Sequence, residues 1–406
     1  MSKEIKIALI VLVPFLLIIG GLFFWFSSLE EEEQVAFEEE SGFFSFLGTV
    51  RDTVTPRDTT PEATSTPTTS PSDEKVPSLR KLTNAPVAGG VVFDRRGETF
   101  IRYIERATGH IYEAAATSTK LGRISNTTIP RVQEALWGTD GSKLVIRYLD
   151  QRTPDKITTT ALALTGTSTV TIKSTFFPDN VTSISLSPNS SQSFYLLEGE
   201  GASGVLAGAG GESGKEIWSS DLSQWTTTWQ QGSAVALTSK ASALAEGILL
   251  FLNPQTRSEQ VVLEGVRGLT TLPSPSGNKI LYSKSTEGDM ALFIYDRTAG
   301  TSKELPLTTL PEKCVWSRTK EDVIYCGAPL SLPRATYPDD WYKGKFSFSD
   351  ALWLVRVEEG TAKLLAVPSR EGGDNTDLIL PSISPKDTHL TFVNKKDLSF
   401  WSLTLD

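Results

Sequence analysis

The sequence predicts an all-β fold, a seven-bladed β-propeller, preceded by one N-terminal transmembrane helix and a disordered Thr/Ser/Pro-rich linker. Three observations lead there. A strand–turn–strand unit recurs at intervals of roughly 45 residues, an uncharged apolar run of 20 residues lies near the N-terminus, and the stretch between is nearly free of apolar side chains.

The apolar run comes first. Residues 7–26, IALIVLVPFLLIIGGLFFWF, match the length of helix that crosses a hydrocarbon core of about 30 Å. Pro14, Gly20 and Gly21 inside it are tolerated in membrane helices. The following SSLEEEEQ offers no small-x-small cleavage site, so an uncleaved anchor is expected rather than a signal peptide. Lys3 and Lys6 precede the span, whereas Glu at 30–33 and 38–40 follows it with no basic residue before Arg51. The excess of Lys and Arg on one side sets the orientation. Residues 1–6 become a cytoplasmic tail, and everything after residue 26 is expected outside the cytoplasmic membrane in a single-pass arrangement. Membrane lipid is then a partner through residues 7–26.

Residues 27–76 form an acidic juxtamembrane segment and linker. The first 75 residues carry 5 Lys+Arg and 13 Asp+Glu, so nearly all of the formal net charge of −9 belongs to the tether. The remaining domain is close to neutral and has no basic stripe, which excludes nucleic acid as a partner. VRDTVTPRDTTPEATSTPTTSPSDEKV cannot bury enough surface to offset its ordering entropy and is expected to be extended. The cluster FFSFL at 43–47 suits an inert contact near the membrane.

Residues 77–406 repeat. The unit reads VVFDRRGETFIRY, ALWGTDGSKLVIRY, ISLSPNSSQSFYLL, a degraded TTWQQGSAVAL, TLPSPSGNKILYS, CVWSRTKEDVIYC and PSISPKDTHLTFV. Its turns open at Asp94, Gly138, Ser187, Gln230, Ser274, Ser317 and Ser384, with spacings of 44, 49, 43, 44, 43 and 67. An aromatic third strand is expected after each pair, as in GHIYEAA, KEIWSSDL, ILLFLNP, LFIYDRT, ALWLVRV and LSFWSLTL, and a more variable fourth follows. Four antiparallel strands at this period make a propeller blade. The seventh unit stops at its third strand, so SLRKLT at 78–83 is expected to close the ring by covering that edge.

The turn motifs SLSPNS, PSPSGN and ISPKDT resemble those of TolB-like and WD-type propeller repeats, and the layout resembles anchored propeller proteins of bacterial envelopes. The Trp-Asp ending of WD-type blades is absent, which leans the resemblance to the TolB-like side. It implies a fold and supplies no catalytic residue, because function lives in sites grafted on folds.

Only two cysteines occur, Cys314 and Cys326, on the paired strands of the sixth unit. If Trp316 faces Ile324, the hairpin register sets Cys314 opposite Cys326, within reach of a disulfide in an oxidising compartment. The alternative is two buried thiols acting as small apolar residues. A metal role fits poorly with only two histidines, His110 and His389, both distant in sequence, and no CxxC motif is present.

Other chemical signals are weak. GAGGESGKE, expected between the second and third strands of the third unit, has Ala209 where a phosphate loop needs its first glycine and Glu216 where it needs Ser or Thr. No cofactor is implied. The departure that stands out is the 67-residue spacing, which places PLSLPRATYPDDWYKGKFSFSD at 329–350 within the sixth unit. It suits a plug packed on the blade, or a binding loop on a rigid scaffold. As a binding loop it offers aromatic area from Tyr337, Trp341, Tyr342 and Phe346, and orienting charges from Asp339, Asp340 and Lys343. The Gly-rich 199–214 would then rim the same face from the third unit. The functional expectation is a non-enzymatic extracytoplasmic binding or scaffold module presenting this face to an envelope protein or glycan. The alternatives are a glycan-active enzyme using carboxylates near the channel, and an envelope assembly factor.

Overall fold

The computed structural model describes residues 76–405 except 154, 167–169, 230, 231, 233 and 372. The expected tail, membrane helix and nearly all of the linker fall at 1–75, outside the described residues. Among the described residues no helix is long and apolar enough to cross a membrane.

Seven four-stranded antiparallel sheets follow one another along the chain. In six of them the strands pair in chain order, from the channel-lining strand outward. The seventh has the order Leu79–Thr83, Phe400–Thr404, His389–Asn394, Leu378–Ile383. Leu79 pairs with Leu403 and Arg80 with Ser402, so the first strand of the domain is the outer strand of the last blade. The predicted closure by 78–83 is what forms. It covers the edge that Phe400–Thr404 would otherwise present.

The turn motif has a local cause. In the third, fifth, sixth and seventh blades the serine that opens the first hairpin is buried, and its Oγ accepts backbone N–H groups from the far side of the turn. Gln192 N donates to Ser187 Oγ at 2.9 Å, Lys279 N to Ser274 Oγ at 3.1 Å, Lys320 N to Ser317 Oγ at 2.8 Å and Thr388 N to Ser384 Oγ at 2.8 Å. A short hydroxyl side chain that bonds its own backbone is what such turns select.

The apolar core is divided among the interfaces between neighbouring blades. Leu281, Leu292, Trp316 and Ile324 pack blade five on blade six, and Ile104, Ile111, Leu144 and Ile146 pack blade one on blade two. Val92, Tyr103, Val393 and Phe400 do the same between the last blade and the first, which shuts the ring. Tryptophans bind adjacent inner strands directly: Trp137 Nε1 donates to Gly89 O at 3.2 Å and Trp316 Nε1 to Leu272 O at 3.1 Å.

One strand assignment is corrected. In blade three the third strand is Ala202–Gly208, ASGVLAG, and KEIWSS (Lys215–Ser220) is the fourth. Gly204 needs to be bare, because a Cβ there would lie 2.5 Å from the Phe194 ring. The glycine that weakens the strand signal is required by packing. The Gly-rich turn therefore links third to fourth strands. Strand direction alternates, so links between blades and second-to-third connections share one face, here the upper face, and this turn lies on the lower one.

Candidate binding site at the upper channel mouth

The inner strands enclose a central channel. Its upper part is a cavity of about 760 Å³ lined by blades three to seven, with hydroxyls of Thr182, Thr228 and Ser223 and the aromatic Tyr342 on its wall. A lower cavity of about 540 Å³ is bounded by Gly89, Asp94, Asp140, Trp137 and Arg318, and Pro381 borders both.

The insertion rises on the upper face between Val323–Pro329 and Asp350–Arg356. Its single helical turn, α1 (Asp339–Tyr342), drops Trp341 inward. Tyr337, Trp341 and Phe348 are 0%, 3% and 1% exposed and pack with Leu310 and Met290. The Trp341 and Phe348 rings stack at 5.9 Å, and Phe346 closes on Phe348 at 5.3 Å. Asp339 reaches blade four, accepting from Ser242 Oγ at 2.9 Å and Ala243 N at 2.8 Å. Asp340 holds Lys345 at 2.7 Å and caps Thr336 N at 3.0 Å.

Under the plug lies a charged floor. Lys313, Asp350 and Asp377 have fully buried side chains. Lys313 Nζ pairs with Asp350 at 2.8 Å and with Asp377, and donates to Leu378 O at 2.9 Å. Asp377 Oδ2 accepts Trp341 Nε1 at 2.8 Å and Phe348 N at 3.0 Å, which couples the floor to the plug. Lys395 lies over the Trp341 ring at 4.2 Å and donates to Trp341 O at 2.6 Å. Burial pushes the Asp350 carboxyl up to about 6 against the pull of Lys313, and its Oδ1 has no partner.

Of the seven residues expected to bind, Tyr337, Trp341 and Phe346 make the plug, while Asp339 and Asp340 fasten it. Tyr342, 43% exposed, and Lys343 face solvent. Tyr342 alone among them lines the cavity. There its hydroxyl donates to Glu312 Oε2 at 2.8 Å. Glu312 sits on the 3-10 turn Pro311–Lys313 just before the inner strand of blade six, beside Lys313 in sequence but turned to the channel. Its Oε1 is shut from water and unpartnered. Burial pushes this carboxyl up to about 7, although Tyr342, Lys313 and Lys395 pull it down. Sequence reasoning missed Glu312; only its position just before a channel strand marks it. Of the Gly-rich 199–214 expected to share this rim, 199–201 joins the second and third strands of blade three on the upper face, whereas 209–214 lies on the lower face.

Cys314 and Cys326 face each other in register and are joined by a disulfide. His110 Nε2 meets Thr128 Oγ1 at 3.3 Å and His389 Nδ1 meets Thr388 Oγ1 at 3.0 Å. Among the described residues no group of three or more His, Cys, Asp or Glu is placed to hold a metal.

These features define a seven-bladed β-propeller whose upper channel mouth is narrowed by a packed insertion. No protein-family model matches the sequence, and no curated protein matches it. Among solved structures it is similar to an oligogalacturonate lyase from Vibrio parahaemolyticus, with a TM-score of 0.54 and 9% identity, covering 81% of this chain and 93% of that one. A second oligogalacturonate lyase, in complex with manganese, gives a TM-score of 0.52 at 10% identity, covering 79% of this chain and 97% of that one. TolB from Acinetobacter baumannii gives 0.45 at 14% identity, with 66% and 64% covered. At these identities the likeness is one of fold.

Proposed function

We propose that the chain is a non-enzymatic binding or scaffold module, anchored in the cytoplasmic membrane through residues 7–26 with its propeller outside, which presents the upper channel mouth to an envelope protein or glycan. The observation that carries this reading is the cavity of about 760 Å³ opening beside an exposed aromatic, Tyr342, on a frame held rigid by blade-to-blade packing. Leu222 and Leu244, 53% and 83% exposed, add apolar area on the same face. A photo-crosslinking residue placed at Tyr342 in intact cells should capture a discrete partner, and the same residue at Lys386 on the lower face should not. Capture from the lower face alone, or from neither, overturns it.

The competing reading, an enzyme acting on glycans, draws on Glu312, whose carboxyl at about 7 would hold a proton to donate near neutrality. Turnover of an oligosaccharide that disappears in Glu312→Gln would establish it.

A further inference from the structure

Beside the upper cavity lies an acceptor that lacks a donor. Glu312 Oε2 takes the Tyr342 hydroxyl at 2.8 Å, while Oε1 has no partner. A buried acceptor left in this state is costly until a donor arrives. The neighbouring lysines are committed elsewhere: Lys313 to Asp350 and Asp377, Lys395 to Trp341 O. Lys240, exposed, lines the cavity from blade four, and Glu198, also exposed, lines it from blade three. The last torsion of a glutamate is broad, so a turn of the carboxylate, in which both oxygens move together, brings Oε1 toward the cavity that Glu312 lines.

The chemistry of the missing donor follows from this arrangement. A guanidinium seeks both carboxylate oxygens at once, and one is already taken. An ammonium is a point donor with three hydrogens, which one free carboxylate oxygen and other polar groups of the cavity wall can share. The exposed ring of Tyr342 adds a face that attracts a cation. We infer that the upper cavity is a site for a primary ammonium group on an aliphatic chain, held by Glu312 and Tyr342. This rests on the upper mouth being the working face. The ammonium belongs either to a free amine or to a lysine side chain of a docked polypeptide. Binding it favours ionised Glu312, so affinity rises with pH through about 7, within a field set by Tyr342, Lys313, Lys395, Lys240 and Glu198.

The test is calorimetric titration of the purified full-length chain with 1,4-diaminobutane and with N-acetyl-lysine methylamide, at pH 6 and pH 8, with glucose as a neutral control. Saturable binding of at least one amine is expected, tighter at pH 8. Glu312→Gln should weaken it at least tenfold and remove the pH dependence, and Tyr342→Phe should weaken it severalfold, both with unchanged circular dichroism. A tenfold preference for the lysine derivative assigns the ammonium to a partner, and the reverse to a free amine. Absence of saturable amine binding, equal affinity in Glu312→Gln, or glucose binding as well as the amines overturns the inference. Loss of crosslinking from Tyr342 with amine binding intact removes the docking reading alone.

Discussion

Replacing Trp341 by Ala separates a packed plug from a loop held ready for a partner. Trp341 is 3% exposed, stacks on Phe348 at 5.9 Å, lies under Lys395 at 4.2 Å and donates to Asp377 Oδ2 at 2.8 Å. Truncating a buried tryptophan costs about 3–5 kcal/mol. Here the upper end applies, because the buried Asp377 also loses one of the donors that hold its charge. An unfolding entropy of about 2.1 cal/mol/K per residue over roughly 330 residues turns that upper end into a fall in Tm of about 7 °C. Tyr342→Ala, at a side chain 43% exposed whose hydroxyl is the donor to the Glu312 carboxyl, should cost about 1–2 kcal/mol. Urea unfolding and differential scanning calorimetry on both variants read the difference. If Trp341→Ala costs no more than Tyr342→Ala, the insertion is not packed as described and the argument for the plug fails.

Three further outcomes are expected. Cys314→Ala with Cys326→Ala should lower stability by about 2–3 kcal/mol through the unfolded state, read by chemical denaturation, and the native protein should resist alkylation without reductant. Deleting residues 77–85 should leave the edge of Phe400–Thr404 open and cause aggregation on sizing columns, whereas deleting 1–75 should leave the melting transition in place. Lys313→Met strands two buried carboxylates and should cost about 3–5 kcal/mol at pH 7. Because burial already raises Asp350 to about 6, its folded form takes up a proton before its unfolded form does, so this group favours folding more below pH 6 than above it. Without the lysine the shift grows, and the deficit of Lys313→Met should narrow between pH 7 and pH 5; a constant deficit would show that the triad is not coupled.

The blade count, the closing strand and the cysteine pair were legible because each rests on short-range pattern: a serine that caps its own turn, alternation along hairpins, and a register fixed within thirteen residues from Cys314 to Cys326. Ala202–Gly208 was not legible as a strand, since its glycines and alanines answer to Phe194 and Trp218 beside them rather than to intrinsic strand preference. The aromatics at 337–346 pointed to the right loop, yet their direction depended on Lys313, Asp350 and Asp377, whose meeting is set by tertiary packing. Glu312 was missed for the same reason. Nothing in PEKC separates a glutamate aimed at the channel from the lysine aimed away from it.

The pairing of Leu79 with Leu403 also bears on how the protein is made. Among the described strands Leu79–Thr83 leaves the ribosome first, yet its partner, Phe400–Thr404, follows all the others. Such distant pairing is slow, because the loop entropy must be met before the contact rewards it. Until Phe400–Thr404 emerges, six four-stranded blades stand in a ring that cannot shut and the leading strand has nothing to clasp, the state most exposed to proteases and to misassembly. A proline placed within Phe400–Thr404 would therefore undo the contact of the leading strand as surely as that of the seventh blade, making this one strand a checkpoint on closure of the ring.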